Sequence, residues 1–300
     1  MDEIKDRLLK PSKATHEDQR GKFISYLSIG LIAVLVISIL VFITIHGLAM
    51  FTQNGMKISD FLFKTDWNPG KKLIGALPMI VTSFGVTLLS ALIATPFAIA
   101  VALFMTEFAP KRGAKFLQVI IELLVGIPSV IYGLIGLAIV VPAVRTIYGG
   151  TGFGILAGAI VLFVMVLPTI TSLTVDSLKA VPRHYRQASL ALGATRWQTI
   201  YKVILRAATP GILTAVVFGM ARAFGEALAV QMVIGNAAML PQNLTSPSAT
   251  LTSQLTMGIG NTIMGTLPNN ALWSLALLLL IMSLVFNLVV KLIARKGRIK

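Results

Sequence analysis

Cysteine is absent from this 300-residue chain. Its absence excludes disulfides and thiolate metal sites and leaves the compartment open. Charge is scarce as well. Only 12% of residues are Asp, Glu, Lys or Arg, about half the share of an ordinary soluble domain. The three histidines, His16, His46 and His184, form no metal constellation, and no Ser/His/Asp arrangement is suggested. The phosphate-cradling pattern G-x-x-x-x-G-K-[ST] is missing. The Gly-Lys pairs Gly21-Lys22 and Gly70-Lys71 are followed by Phe23 and Lys72, so an ATPase of that type must lie on another chain.

What is present in quantity is apolar. Hydrophobic residues make up 56% of the chain, and the mean hydropathy is +0.85. These values indicate an integral membrane protein. The net charge of +15 would suggest nucleic acid in a soluble chain. Here the cations are scattered through loops between hydrophobic spans, with no basic domain to hold a groove. Retention of Lys and Arg on the cytoplasmic side accounts for them.

A helix needs about 20 apolar residues to span a bilayer. Six segments qualify: 23–50, 78–106, 116–144, 152–175, 211–234 and 271–293. The expected fold is all-α, a polytopic protein with six transmembrane helices. Residues 1–22 form a mostly polar N-terminal segment, and 23–300 form the transmembrane domain. No short basic start and no small-residue cleavage site mark the first span as a signal peptide, so it is expected to remain as an anchor.

Six crossings put the start, the turn at 111–115, the loop at 176–207 and the tail on one side, with 20 Lys and Arg. The other side carries five: Lys57, Lys64, Lys71, Lys72 and Arg145. The remaining cation is Arg222. This asymmetry predicts both termini in the cytoplasm. Loops 51–77 and 235–270 are then the exterior features long enough to form a docking surface, with a short helix expected near 249–263.

Pro96, Pro128 and Pro168 fall inside spans, where each removes a backbone donor. In "VGIPSVIYG" (125–133), Gly126 and Pro128 are helix-kink candidates. Ordinary helix packing and a bent, cavity-lining helix both fit them. Glu122, in the same span, is expected to stay hydrated or to meet a loop cation.

The longest internal polar segment contains "VPRHYRQASLALGATRWQTIYKVILRAATPGI" (181–212). Pro182 suits a first helical turn. Tyr185, Ala188, Ser189 and Leu192 share one helical face, and Gly193 breaks the helix. A second helix begins near Thr195, and Pro210-Gly211 marks the entry to the next span. An amphipathic connector lying on the membrane surface is the plainer reading.

This segment is similar to the coupling loop of binding-protein-dependent ABC importer permeases. That family's pattern is Glu-Ala-Ala, then Gly, then a hydrophobic stretch ending in Leu-Pro. Here the matching positions are Gln187, Ala188, Ser189, Leu192 and Gly193, with Leu205 and Arg206 where the family has Leu-Pro. The leading Glu and that Pro are thus replaced. "WNP" (67–69), "EFAPKR" (107–112), "IELLVGIPSVIYG" (121–133) and "ARAFGEALAV" (221–230) extend the likeness to the phosphate-specific subgroup. From about residue 58 onward they resemble its PstC-type permease, and the sister PstA type shares much of the pattern.

The resemblance implies a type I importer permease fold, a coupling loop at about 176–210 that inserts into an ATPase groove, and residence in a bacterial or archaeal cell membrane. It implies inorganic phosphate as substrate. The implied partners are a PstA-type sister permease, a PstB-type ATPase dimer using ATP and Mg, and an extracytoplasmic PstS-type phosphate-binding protein. No cofactor is expected in this chain, which performs transport without bond chemistry of its own.

Two ionised residues interrupt the fifth span. Arg222 and Glu226 stand four apart, so on a continuous helix they would share a face and offset one another near mid-bilayer, where a charge costs about 3 kcal/mol. A structural ion pair is one reading. The other is a substrate pathway in which the planar Arg222 fork meets an oxyanion and Glu226 tunes its release. Three rivals remain: an importer for another oxyanion such as sulfate or molybdate, an ion-coupled secondary transporter with Glu226 as proton carrier, and a membrane scaffold.

Overall fold

The computed structural model describes residues 13–296. Most of the expected polar N-terminal segment, with Lys5, Arg7 and Lys10, lies outside the described residues, as do Arg298 and Lys300 in the tail. Two compact units divide the chain, one ending at His46 and one beginning at Gly47. The first is carried by helix α1 (Lys13–Thr52). Its apolar residues are exposed in every direction, from Phe23 and Leu31 to Ile39 and Ile45, as expected of a helix whose solvent is lipid.

The second unit takes in the end of α1, where Ala49 and Met50 are buried, then α2 (Ile58–Phe63) and a hairpin of two-residue strands, β1 (Trp67–Asn68) and β2 (Leu73–Ile74). Trp67 pairs with Ile74. Then follow α3 (Leu77–Leu103), α4 (Lys111–Gly126), α5 (Ser129–Ile135), α6 (Val141–Tyr148), α7 (Ile155–Lys179) and α8 (Arg183–Ala191). The chain closes with α9 (Arg196–Gln198), α10 (Leu205–Phe224), α11 (Leu228–Gln231), α12 (Leu251–Gly258) and α13 (Leu267–Lys296). π-helical turns continue α3 through Phe104–Phe108, join α5 to α6 through Gly136–Val140, and join α9 to α10 through Thr199–Ile204.

Among the described residues, six helices are long and apolar enough to cross a membrane: 18–52, 77–108, 129–148, 155–179, 196–224 and 267–289. The expected number stands, but two spans move. The third, expected at 116–144, is divided. Ile127 adopts an extended backbone before Pro128, as the steric demand of a following proline requires. Gly126 and Pro128 therefore stand at a junction between helices α4 and α5 rather than at a kink within one span. The Tyr132 hydroxyl closes the junction by donating to the Leu124 carbonyl at 2.8 Å. The fifth span, expected at 211–234, starts earlier and ends at Phe224. It runs through Pro210 without breaking, as helices in lipid allow.

The core of this unit is built on α3, α7 and α10. Ala94 and Ala98 of α3, Val161, Leu162, Met165, Val166 and Ile170 of α7, and Ala215 and Ala223 of α10 are all buried together. Small residues let these helices approach closely where no hydrophobic contrast with lipid drives them together. Gly211, for example, lies against Ser177, and a Cβ there would come 2.5 Å from the Ser177 hydroxyl. A second cluster of Met105, Ile121, Val175, Leu178, Ile200 and Ile204 fastens one end of the bundle. The expected helix near 249–263 is α12, opened by a capping box between Thr250 and Ser253.

Candidate functional site

Two regions carry the residues singled out by the sequence. The first is the α8–α9 hairpin. Pro182 precedes α8, and Gly193 takes a φ of +80° just after it. A side chain would meet no atom within 4 Å at that position, so the backbone conformation, not space within the chain, calls for glycine. Thr195 then starts α9 with a reciprocal box: its side chain accepts from Gln198 N–H, and Gln198 accepts from Thr195 N–H. The expected second helix thus begins where the sequence suggested, but it continues without interruption into α10.

Gln187 and Ala188 are exposed on α8. Leu192 is 88% exposed, and Leu190, Tyr185, Trp197 and Tyr201 are exposed around it. Ser189 departs from its expected role as an outward-facing small residue. It is buried, and its hydroxyl bonds that of Thr199 at 2.9 Å, closing the hairpin from inside.

Glu107, quoted in "EFAPKR" without a role, is the residue that holds this hairpin. Its carboxylate pairs with Arg186 of α8, and its backbone carbonyl accepts from Arg196 of α9. The Arg196 guanidinium also lies 5.3 Å from the centre of the Phe108 ring, within cation–π range. One acidic residue at the end of α3 therefore gathers both arms of the hairpin. The available signal was a lone carboxylate ending an apolar run, on the side where the loop arginines lie.

The second region is the end of α10. Arg222 and Glu226 do not form the expected pair. The ion pairs among the described residues are Lys22–Asp18, Lys64–Asp60 and Arg186–Glu107. The reason is that the helix ends at Phe224, with Gly225 as its cap. Four residues no longer make one turn across that break. Arg222 therefore occupies the last turn of its helix rather than the middle of a span. There the negative end of the helix dipole favours a cation. Its Nη1 donates to Thr169 Oγ1 at 2.7 Å. Thr169 is buried on α7, directly after Pro168.

Glu226 turns the other way. Its Oε1 accepts the Ala229 N–H at 3.3 Å, and its backbone carbonyl accepts from the Thr252 hydroxyl at 2.8 Å. The carboxylate borders a cavity of about 10 Å³, shared with Ser83, Thr87, Thr250 and Thr252, room for about one water. The break thus presents a guanidinium held by a neutral hydroxyl on one side and a carboxylate in a hydroxyl-lined pocket on the other. Glu122 is exposed on α4, outside any span, in keeping with the hydrated alternative; it accepts from Gln118 at 3.1 Å and pairs with no loop cation among the described residues.

The family model described as "Binding-protein-dependent transport system inner membrane component" matches residues 94–299. "Probable ABC transporter permease protein YqgH" of Bacillus subtilis is 47% identical over 300 residues, covering 99% of this chain and 97% of its own length. "Phosphate transport system permease protein PstC" of Mesorhizobium japonicum is 30% identical over 290 residues, covering 87% of this chain and 89% of its own. Among solved structures, a bacterial alginate ABC transporter chain in complex with its periplasmic protein aligns with a TM-score of 0.65 and 15% identity, over 93% of this chain and 96% of its own. That degree of identity is a likeness of fold.

Proposed function

The chain belongs to the family of binding-protein-dependent transport system inner membrane components, and from that premise we propose that it is one permease half of an ATP-driven phosphate importer. As an ABC importer permease it is a multi-pass membrane protein; the substrate and the residues that meet it are the proposal. The carrying observation is Arg222. Its guanidinium is held by the Thr169 hydroxyl and by no carboxylate among the described residues. A planar fork with donors to spare fits a tetrahedral oxyanion. Relatives named as phosphate permeases favour phosphate among the oxyanions.

Glu226 places a carboxyl group beyond the break at Gly225. A carboxylate at this position limits how tightly a dianion is held, and a transport site must release what it binds. The α8–α9 hairpin is the coupling element. Its exposed Gln187, Ala188, Leu192 and Gly193 face a groove on a PstB-type ATPase dimer, which uses ATP and Mg. Ser189 holds the hairpin closed. Closure of the ATPases draws this hairpin toward that of a PstA-type sister permease and opens the pathway to a PstS-type binding protein. Twenty cations against five supports both termini in the cytoplasm. In the cysteine-free chain, Thr195→Cys should resist an impermeant thiol reagent applied outside cells, while Gln242→Cys should react; the reverse pattern overturns this orientation.

The deciding experiment is labelled-phosphate uptake in cells lacking this chain, complemented with the native sequence or with Arg222→Ala, with sulfate as competitor. Uptake that needs the native chain, is lost in the variant and is unaffected by sulfate supports the reading. Competition by sulfate assigns the site to another oxyanion. Normal uptake with Arg222→Ala removes that residue from the pathway.

A further inference from the structure

A second cationic site lies away from Arg222, at the end of the bundle that carries the α8–α9 hairpin. A cavity of about 270 Å³ opens between α4, the π-helical end of α3 and the last turns of α7. Lys111, Lys115 and Gln118 of α4 and Lys179 of α7 line it, over a floor that includes Met105 and Val175. Among the described residues no carboxylate is in ion-pair distance of any of the three lysines. The nearest acidic side chains in sequence are Asp176, exposed one turn before Lys179, Glu107, four residues before Lys111 and paired with Arg186, and Glu122, which accepts from Gln118.

The placement of these lysines works against the helix that carries them. α4 begins at Lys111 with Arg112 next and Lys115 one turn on, has no acidic residue in its first turn, and has no side-chain cap from Pro110. Cations at the positive end of a helix dipole are unfavourable, and the first backbone N–H groups lack partners within the helix. An anion at this end would offset both costs.

α4 also has the form of a helix lying in a membrane interface. It has 16 residues and is not among the six spans. Lys111, Lys115, Gln118 and Glu122 fall on one stripe. Phe116, Val119 and Leu123 are exposed on another, about 100° around the helix at 3.6 residues per turn. A stripe of cations beside an exposed apolar stripe suits a ligand with a charged head and an apolar tail.

We propose that this cavity is a binding site for the phosphate headgroup of an acidic phospholipid, with Lys111, Lys115 and Lys179 as its cationic ligands. The phosphodiester sits among the three ammonium groups and the uncapped first turn of α4. The acyl chains run beside Phe116 and Leu123. A free phosphate anion would satisfy the lysines alone and leave the apolar stripe without a role. The site sits at the last turns of α7, which leads directly into the hairpin, so an occupied headgroup pins the base of that element. The inference requires a membrane-embedded chain but not the transport reading above.

The test uses the full-length chain, purified in detergent and read by native mass spectrometry after titration with phosphatidylglycerol or phosphatidylcholine. Three variants accompany it: Lys111→Gln/Lys115→Gln/Lys179→Gln, the same three positions changed to Arg, and Lys57→Gln/Lys71→Gln/Lys72→Gln at the other end of the bundle. Expected is retention of phosphatidylglycerol over phosphatidylcholine. About tenfold or more of that preference should be lost in the first variant and kept in the other two. Equal retention of phosphatidylglycerol by the first variant and the native chain overturns the site. Displacement of the lipid by inorganic phosphate at equal concentration overturns the lipid assignment in favour of a free-anion site. Because the readout is lipid retention, its failure is separate from any failure of phosphate uptake.

Discussion

The hairpin end of the bundle and the break at Gly225 use charge in opposite ways. At the hairpin, the Glu107 carboxylate is committed: it binds Arg186, its carbonyl binds Arg196, and Phe108 lies under the same arginine. At the break, Arg222 and Glu226 have the spacing for a pair and do not make it. Each takes a neutral partner instead, Thr169 for one and a backbone N–H for the other. A carboxylate and a guanidinium locked together make a rigid joint. Kept apart, they leave the guanidinium able to exchange a weak partner for an incoming anion. The first arrangement suits an element that must move as one piece, and the second suits a site that must bind and release.

The sharpest way to break this contrast is at Arg222. Arg222→Ala should reduce phosphate uptake by ~100-fold or more, the scale of losing two charge-assisted hydrogen bonds, while the complex still assembles. Arg222→Lys keeps the charge and loses the fork, so uptake should remain well below normal. A variant chain that vanishes from the membrane would instead mark Arg222 as structural.

The hairpin should respond differently. Glu107→Ala removes a carboxylate that is 9% exposed from an arginine that is 29% exposed, a loss of about 2 kcal/mol. ATP hydrolysis should persist while uptake per ATP falls about tenfold. The exchange of Glu107→Arg with Arg186→Glu should recover part of that loss. No recovery, with both single variants fully active, would remove the ion pair from coupling.

Glu226→Gln separates the two uses of charge most directly. With no Arg222 contact to lose, assembly should be unaffected, and the amide can still accept from Ala229. Phosphate release should slow by about severalfold as the repelling charge goes. Loss of assembly would show that Glu226 balances Arg222 at a distance after all.

The smallest effect is expected at Gly193. Gly193→Ala meets no neighbour but must hold a φ of +80°, costing about 1 kcal/mol. Its melting temperature should drop by ~2–4 °C with ATPase association kept. Gly193→Trp should abolish that association, because the crowding it brings falls on the partner. Equal behaviour of the two variants would place the demand for glycine entirely in the backbone.

Much of this was legible in the chain. The number of membrane helices follows from local hydropathy, because transfer into lipid is close to additive along a segment. The hairpin follows from Pro182, Gly193 and the helix start at Thr195, all local signals in one short segment. The division at Ile127–Pro128 was visible in composition but not in kind: a proline marks a place without saying whether the helix bends or ends.

Other features had no local signal. The apolar run continues past Phe224 to Ile234, and hydropathy does not register that the backbone turns at Gly225. The four-residue spacing of Arg222 and Glu226 therefore implied a shared face that the fold removes. Thr169 with Arg222, and Glu107 with Arg186, are 53 and 79 residues apart. The sequence by itself determined how many segments enter lipid and which residues carry charge, since those depend on each residue's own solvation. Only the tertiary structure decided which charges meet, because that depends on where helices end and which neighbours close packing brings within about 3 Å of them.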